Sequence, residues 1–480
     1  MQSPAEVRAE RVGGPWHLWV LSRLAALLLG VAAWAMLRGN VFWDTSYYAH
    51  WASGTLTGSR VPYRDFGWEY PPAALPAMLI PGLAAVSGFA AHLWEYGALW
   101  VALMLAADAA VMRLLVQASA HSGSRVGHPA VTVWTWALPL LGALSWARFD
   151  ILPAAGATVA VLCAGRGETR RAGSWAGIGL VLKMWPALLA PVQRTRPSAA
   201  LAGVSALSVL GLTIAITEAT TGRTGFDSVL SYQSRRGVQV ESLAALPLLW
   251  LRHLHAGGYH RRLRFGAWEI VGPHVGLLAT SATVLYVMSL VAIACVHWRL
   301  MRGDAGRAGV AATAMAVISV TLLTDKVLSP QYLLWMVGIY GAACVLEPDT
   351  WRPYLPYLLV ACGLTAIEFP WFYGDVLGGD WLGLLALTAR DAVLIGIGVS
   401  VVRELVRRLR CSPEEKHGLI PVVEDGCSPG AGCPRNGRPS GQTPHTRRAS
   451  THWSRFRDVG STRGRLKRLL QAIVLFRGGC

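Results

Sequence analysis

Long apolar runs joined by short polar or basic segments dominate this chain, and no alternation of apolar and polar residues is sustained over ten-residue stretches. The runs at 16–37, 93–116, 130–147, 151–165, 199–217, 275–298, 308–324, 331–346, 354–370 and 382–402 read as membrane helices. The run Pro72–Ser87 is apolar too, but a crossing there would export the basic stretch Arg113 to His128. It therefore reads as an interfacial or re-entrant helix. Residues 174–191 lie between two basic joints, Arg166/Arg170/Arg171 and Arg194/Arg196, and are too few for two ordinary crossings. Two half-length or strongly bent helices meeting near Lys183-Met-Trp-Pro186 reconcile charge with length, and Lys183 is expected to bond the carbonyls that the break frees.

The pattern predicts an all-α polytopic membrane protein of roughly 12 transmembrane helices, counting the broken pair as two. Its expected parts are an N-terminal cytoplasmic segment 1–15, a membrane body 16–404 and a tail 405–480. Within the body, 38–92 forms a first external loop holding the interfacial helix, and 218–274 a second large external segment. Basic residues in the short joints keep both termini cytoplasmic in a multi-pass cell-membrane protein. No small-residue cleavage site follows the first apolar run, which reads as a retained helix.

Composition excludes a soluble globule, since 53% of residues are hydrophobic, 15% are charged and mean hydropathy is +0.39. The 21 Trp and 13 Tyr suit interfacial belts. Of the +17 net charge, residues 403–480 supply 16 Lys/Arg less 6 Asp/Glu, or +10, so much of the basicity belongs to a tail read as solvated, disordered and cytoplasmic. Nucleic acid is not an expected partner. Cys411, Cys427, Cys433 and Cys480 with His417 and His445 lack paired zinc-ligand spacing, and Cys163, Cys295, Cys344 and Cys362 sit singly in apolar runs as small hydrophobes.

Chemistry concentrates in three polar clusters, 43–72, 231–242 and 325–332, which the threading puts on one side of the bilayer. The first combines Asp44, Asp65 and Glu69 with Trp43, Tyr47, Tyr48, Trp51 and Trp68. Rings stack on sugar faces and carboxylates accept hydroxyl protons, although rings beside a membrane also serve as interfacial anchors. Arg235 and Arg236 in the second cluster and Lys326 in the third suit a departing lipid phosphate. Asp44, closest to the first helix, is the leading candidate base; Asp65 and Glu69 are alternatives that could instead brace their loop. Gln331 and Tyr332 fit either donor contact or helix capping, and Arg148 and Asp150 are expected to pair with each other.

The pattern D-T-x-Y-Y…V-P-Y-R-D-F-x-W-E-Y-P-P, followed by W-A-R-F-D-I-L-P-A (146–154), G-L-V-L-K-M-W-P-A (179–187), R-R-G-V-Q-V-E-S (235–242) and K-V-L-S-P-Q-Y-L-L-W (326–335), resembles glycosyltransferase family 87 from about Trp16 to Glu404. That resemblance implies a GT-C fold and an extracytoplasmic, inverting transfer of a sugar, usually mannose, from a polyprenyl-phosphate donor to a glycan or glycolipid acceptor, with an α-1,2-type linkage as the model. It implies Asp44 as base, and Arg236, Lys326, Arg64 and His260 as candidates for the donor phosphate. No cofactor or metal is expected, because the lipid-linked sugar is a co-substrate. A transporter or flippase of lipid-linked sugars is the competing class, and a non-catalytic scaffold a third.

Overall fold

The computed structural model of this chain describes residues 4–37, 41–86, 93–120, 128–223 and 225–410. The expectations for the tail from residue 411 onward lie outside them. The first part of the chain forms α1 (Pro4–Leu37), α2 (Trp43–Leu56), α3 (Ala74–Val86), α4 (Leu93–Ala120), α5 (Pro129–Leu140), the single turn α6 (Leu144–Ala147), α7 (Ile151–Arg166) and α8 (Thr169–Leu182). Beyond a 3-10 turn at Trp185–Leu189 come α9 (Arg196–Thr221), α10 (Phe226–Ser234), β1 (Val238–Gln239), α11 (Leu246–His253), β2 (His260–Arg264) and β3 (Ala267–Val271). The last part holds α12 (Val275–Leu300), α13 (Gly306–Thr324), α14 (Leu333–Leu346), α15 (Pro348–Trp351), α16 (Leu355–Ala366), α17 (Tyr373–Gly378) and α18 (Trp381–Arg410).

Among the described residues six helices are long and apolar enough to cross a membrane: Trp16–Met36 within α1, then α4, α9, α12, α13 and α18. Leu277, Leu285 and Met288 on α12 stay exposed, as a lipid-facing helix requires. By contrast α14 is buried from Leu333 to Val345, and α7 is buried along most of its length. The protein is thus a helical membrane protein whose shorter apolar helices form its interior.

An arginine in the middle of α1 dictates how the first helices assemble. Arg23 is 2% exposed, and a buried guanidinium in an apolar span must find an anion and further acceptors. Asp108 of α4 supplies the anion: its Oδ2 accepts from Arg23 Nε at 2.9 Å and from Trp146 Nε1 at 3.0 Å. Its Oδ1 accepts from Trp19 Nε1 at 2.9 Å, Trp134 Nε1 at 2.8 Å and Arg23 Nη2 at 3.1 Å. The remaining Arg23 protons go to the Thr135 carbonyl at 2.6 Å, the Trp134 carbonyl at 2.8 Å and Ser22 Oγ at 3.1 Å. Removing one partner from such a pair costs about 3–5 kcal/mol, so Asp108 locks α1, α4, α5 and α6 in one arrangement.

Small residues set the approach of α8 to α9. Gly173 and Gly177 are four residues apart, and a Cβ on Gly173 would lie 2.2 Å from the Ala202 carbonyl oxygen. That close approach replaces side-chain interdigitation where lipid gives no hydrophobic drive between helices. At the end of α8, Lys183 turns extended (φ −159°, ψ 127°). The expectation of two meeting half-helices is corrected here: only one helix and a 3-10 turn form, because Pro186 folds back onto the bare backbone of Gly179.

The membrane body is helical as expected, and one connecting segment adds a small sheet. Segment 218–274 contains a three-stranded antiparallel sheet in the order β1-β3-β2, pairing Val238 with Ile270 and Arg262 with Glu269. Backbone and side-chain bonds tie its neighbourhood to the other polar clusters. Gln239 N donates to the Lys326 carbonyl at 3.0 Å, and Ser228 Oγ to the Trp68 carbonyl at 3.1 Å.

Candidate active site

Asp44 stands in the first turn of α2, where the positive end of the helix favours a carboxylate. It pairs with Arg148, which follows α6 in extended backbone (φ −104°, ψ 159°). Trp146, two residues earlier, is held by Asp108, and Thr45 Oγ1 donates to the Ala147 carbonyl at 2.8 Å. The segment carrying Arg148 is therefore fixed from both sides. Asp44 keeps 20% of its side chain exposed.

The expected Arg148–Asp150 pair does not form. The turn from α6 into α7 sends Arg148 toward α2 and leaves Asp150 facing Lys183, whose Nζ lies 2.6 Å away, and Trp335, whose Nε1 donates at 2.8 Å. Lys183 consequently serves a carboxylate and two rings instead of freed carbonyls. Its ammonium stands 4.5 Å from the Tyr332 ring centroid and 4.9 Å from that of Trp335. Tyr332 stacks on Trp335 at 3.9 Å, and Trp335 on Trp185 at 4.9 Å.

Tyr332 links this group to the other clusters, since it lies within electrostatic reach of both Arg148 and Arg236. Around Arg236 gather Tyr232, Glu69 and Asp325. Burial pushes the Glu69 carboxyl above its ordinary value, against a hydrogen bond from Tyr232 and the charges of Arg236 and Lys183. Burial, joined by repulsion from Arg236, lowers the Lys326 ammonium, while Asp325 and Glu269 oppose the shift. Lys326 Nζ reaches the Ser234 carbonyl at 3.4 Å. Gln331 is buried on the same 3-10 turn as Tyr332.

The remaining sequence candidates occupy other surroundings. Arg64 grips Asp65 through Nε and Nη2, both at 2.9 Å, on an exposed turn, and Asp65 Oδ2 also accepts from Val61 N at 2.7 Å. These bonds, Arg64 first, hold the Asp65 carboxyl down at about 2, where it is a poor base near neutrality. Both residues line a cavity of about 230 Å³ with Tyr63, Arg223 and Asp227. His260 lies on the exposed strand β2 opposite Val271. Tyr48 and Trp68 are buried in a ring cluster with Trp51, Tyr70 and Trp100, so they shape the loop and are closed to a sugar. Trp43 and Tyr47 remain exposed on α2.

Four residues enter that the sequence did not single out for chemistry: Arg148, Asp150, Lys183 and Glu241. All four stood in the quoted motifs, and for the first three the signal was an ionisable group amid apolar residues. Glu241 is buried and accepts from Gln239 Nε2, with Arg390 and Arg148 as charged neighbours. Burial raises its carboxyl to about 7.

Comparison with curated proteins finds no match. A family model, however, matches residues 68–323, which include Glu69, Arg148, Asp150, Lys183, Arg236 and Glu241 and are flanked by Asp44 and Tyr332. This match is narrower than the 16–404 over which the motifs run, yet it spans more than half of the chain. The chain belongs to glycosyltransferase family 87 and is a glycosyltransferase.

Proposed function

We propose that this glycosyltransferase has the GT-C architecture and works at the extracytoplasmic face of the cell membrane. It moves a sugar, mannose first among candidates, from a polyprenyl-phosphate donor to a glycan or glycolipid hydroxyl. The observation that supports this most is the joining of a carboxylate and a cation pair through one ring. Asp44 pairs with Arg148, and Tyr332 stands within reach of both Arg148 and Arg236, with Lys326 beside Arg236.

In this scheme Asp44 takes the acceptor proton as the hydroxyl oxygen attacks the anomeric carbon. The bond from that carbon to the phosphate oxygen breaks, and its electron pair leaves with the lipid phosphate, where Arg236 and Lys326 meet the charge. A single displacement inverts the centre, so a β-linked donor gives an α-linked product. Arg148 orients the Asp44 carboxylate. Arg64, already engaged by Asp65, and His260 on its exposed strand carry less of this proposal.

The test is transfer by the purified full-length chain in liposomes carrying labelled polyprenyl-phosphate mannose and candidate acceptors. New α-mannosides are the expected product. Movement of intact donor between leaflets without any new glycosidic bond would favour the flippase instead.

A further inference from the structure

A second cationic site lies away from the Asp44 cluster, where α11, β2 and the start of α18 meet. A cavity of about 500 Å³, in the range of small-ligand sites, is lined there by Arg252, His253, His255, Tyr259, Gly379 and Asp380. Arg252 Nη1, at 2.8 Å, and Arg261 Nη1 donate to the same Leu377 carbonyl, and Arg252 Nη2 donates to the Gly378 carbonyl at 2.9 Å. His253 Nδ1 donates to the Gly379 carbonyl at 2.8 Å. Two guanidiniums thus share one neutral acceptor, with two histidines beside them.

Like charges so close repel, and Asp380 is the acid that the cavity itself offers. Burial, reinforced by Arg261, draws the Arg252 guanidinium below its ordinary value, and Asp380 opposes the shift. The loop is shaped for this place: Gly257 has φ +84°, and a Cβ on Gly257 or Gly272 would strike the Tyr259 ring at 2.4 Å.

Position in the chain identifies the anion. Asp380 immediately precedes Trp381, the first residue of the span α18, and β3 ends four residues before the span α12 begins. The cavity therefore opens at the level where lipid headgroups lie. Trp381, 54% exposed, suits an interfacial belt, and Leu254 beside the cavity, 68% exposed, offers apolar contact for a lipid chain. None of the cavity's lining residues belongs to the Asp44 cluster, and Arg390, which bonds the Glu241 carbonyl, lies about 15 Å further along α18.

We infer that Arg252 and Arg261, with His253 and His255, hold the phosphate of an anionic membrane lipid at a site distinct from the site of sugar transfer. Fork-shaped guanidiniums match phosphate oxygens, and the lipid would fasten the α11–β2 segment to the starts of α12 and α18. This goes beyond the donor reading and does not depend on it.

The test uses full-length protein purified in detergent, exposed to equal amounts of phosphatidylglycerol and phosphatidylcholine without sugar donor, with retained lipid counted by native mass spectrometry. Preferential retention of one phosphatidylglycerol, lost at least tenfold in the Arg252→Gln/Arg261→Gln double variant, is expected. Arg261→Gln alone leaves the Arg252 bonds to Leu377 and Gly378 in place and should lower retention several-fold at unchanged melting temperature. Equal retention of both lipids, retention unaffected by both variants, or release of phosphatidylglycerol by millimolar inorganic phosphate that binds in its place would overturn the inference.

Discussion

Trp146 and Arg148 stand two residues apart and serve opposite partners: the Trp146 indole donates to Asp108 at 3.0 Å inside the bundle, while Arg148 pairs with Asp44 on α2. The buried ion pair of the first span and the candidate base are thereby coupled through three residues of chain. Asp108→Asn leaves Arg23 without a full counter-charge, and a loss of about 3–5 kcal/mol is expected. Transfer measured well below the melting temperature should fall as well, because Arg148 loses its anchor. Thermal unfolding and initial rates on the same preparation check both parts, and unchanged rates would remove Asp108 from the positioning role.

The Lys183–Asp150 pair makes a separate prediction. Lys183→Met leaves a buried carboxylate without its direct ion-pair partner, at a cost of about 3–5 kcal/mol, and Asp150→Asn on that background should restore part of it. A double-mutant cycle in melting experiments measures the coupling. Strict additivity would mean that the pair does not hold the end of α8.

These two pairs mark the limit of what the sequence discloses. The membrane class, the interruption near Lys183 and the convergence of three polar clusters follow from apolar runs, basic joints and motif order, all of which are local. The partner of Arg148 was not legible, because the path of the turn from α6 to α7 and the distant placement of α2, neither of which is local, decide whether its guanidinium meets Asp150 or Asp44. Glu241 and the sheet were hidden for a related reason: β1 is two residues long, and its pairing of Val238 to Ile270 is set from 32 residues away. Tyr48 and Trp68 show the converse, since ring-rich composition looks alike in a sugar platform and a buried cluster.

Stability should carry a pH signature from Glu241. Burial raises its carboxyl from the ordinary 4.5 to about 7 in the folded protein, which therefore binds the extra proton between those values. Stability is therefore expected to fall as pH rises through that window and to level off above it. Melting temperatures of the parent and Glu241→Gln across pH 5 to 8 test this, and an identical slope in the variant would assign the effect elsewhere.

Packing of α8 on α9 tolerates nothing larger than hydrogen at Gly173. Even Gly173→Ala should destabilise the protein by about 1–3 kcal/mol, because the clash is with the Ala202 backbone and no rotamer relieves it. Gly203, whose Cβ would meet open space, is the control: Gly203→Ala should leave the melting temperature equal or slightly higher. Reversed effects at the two positions would contradict the contact.

The most direct measurement compares Asp44→Asn with Glu69→Gln in the reconstituted transfer assay, using protein of verified melting temperature. Asp44→Asn is predicted to lower the rate about 10²–10⁴-fold, the range for loss of a general base, while Glu69→Gln retains the greater part of it. Near-normal transfer by Asp44→Asn, or a collapse confined to Glu69→Gln, would contradict Asp44 as the base and shift that role to the buried carboxylate beside Arg236.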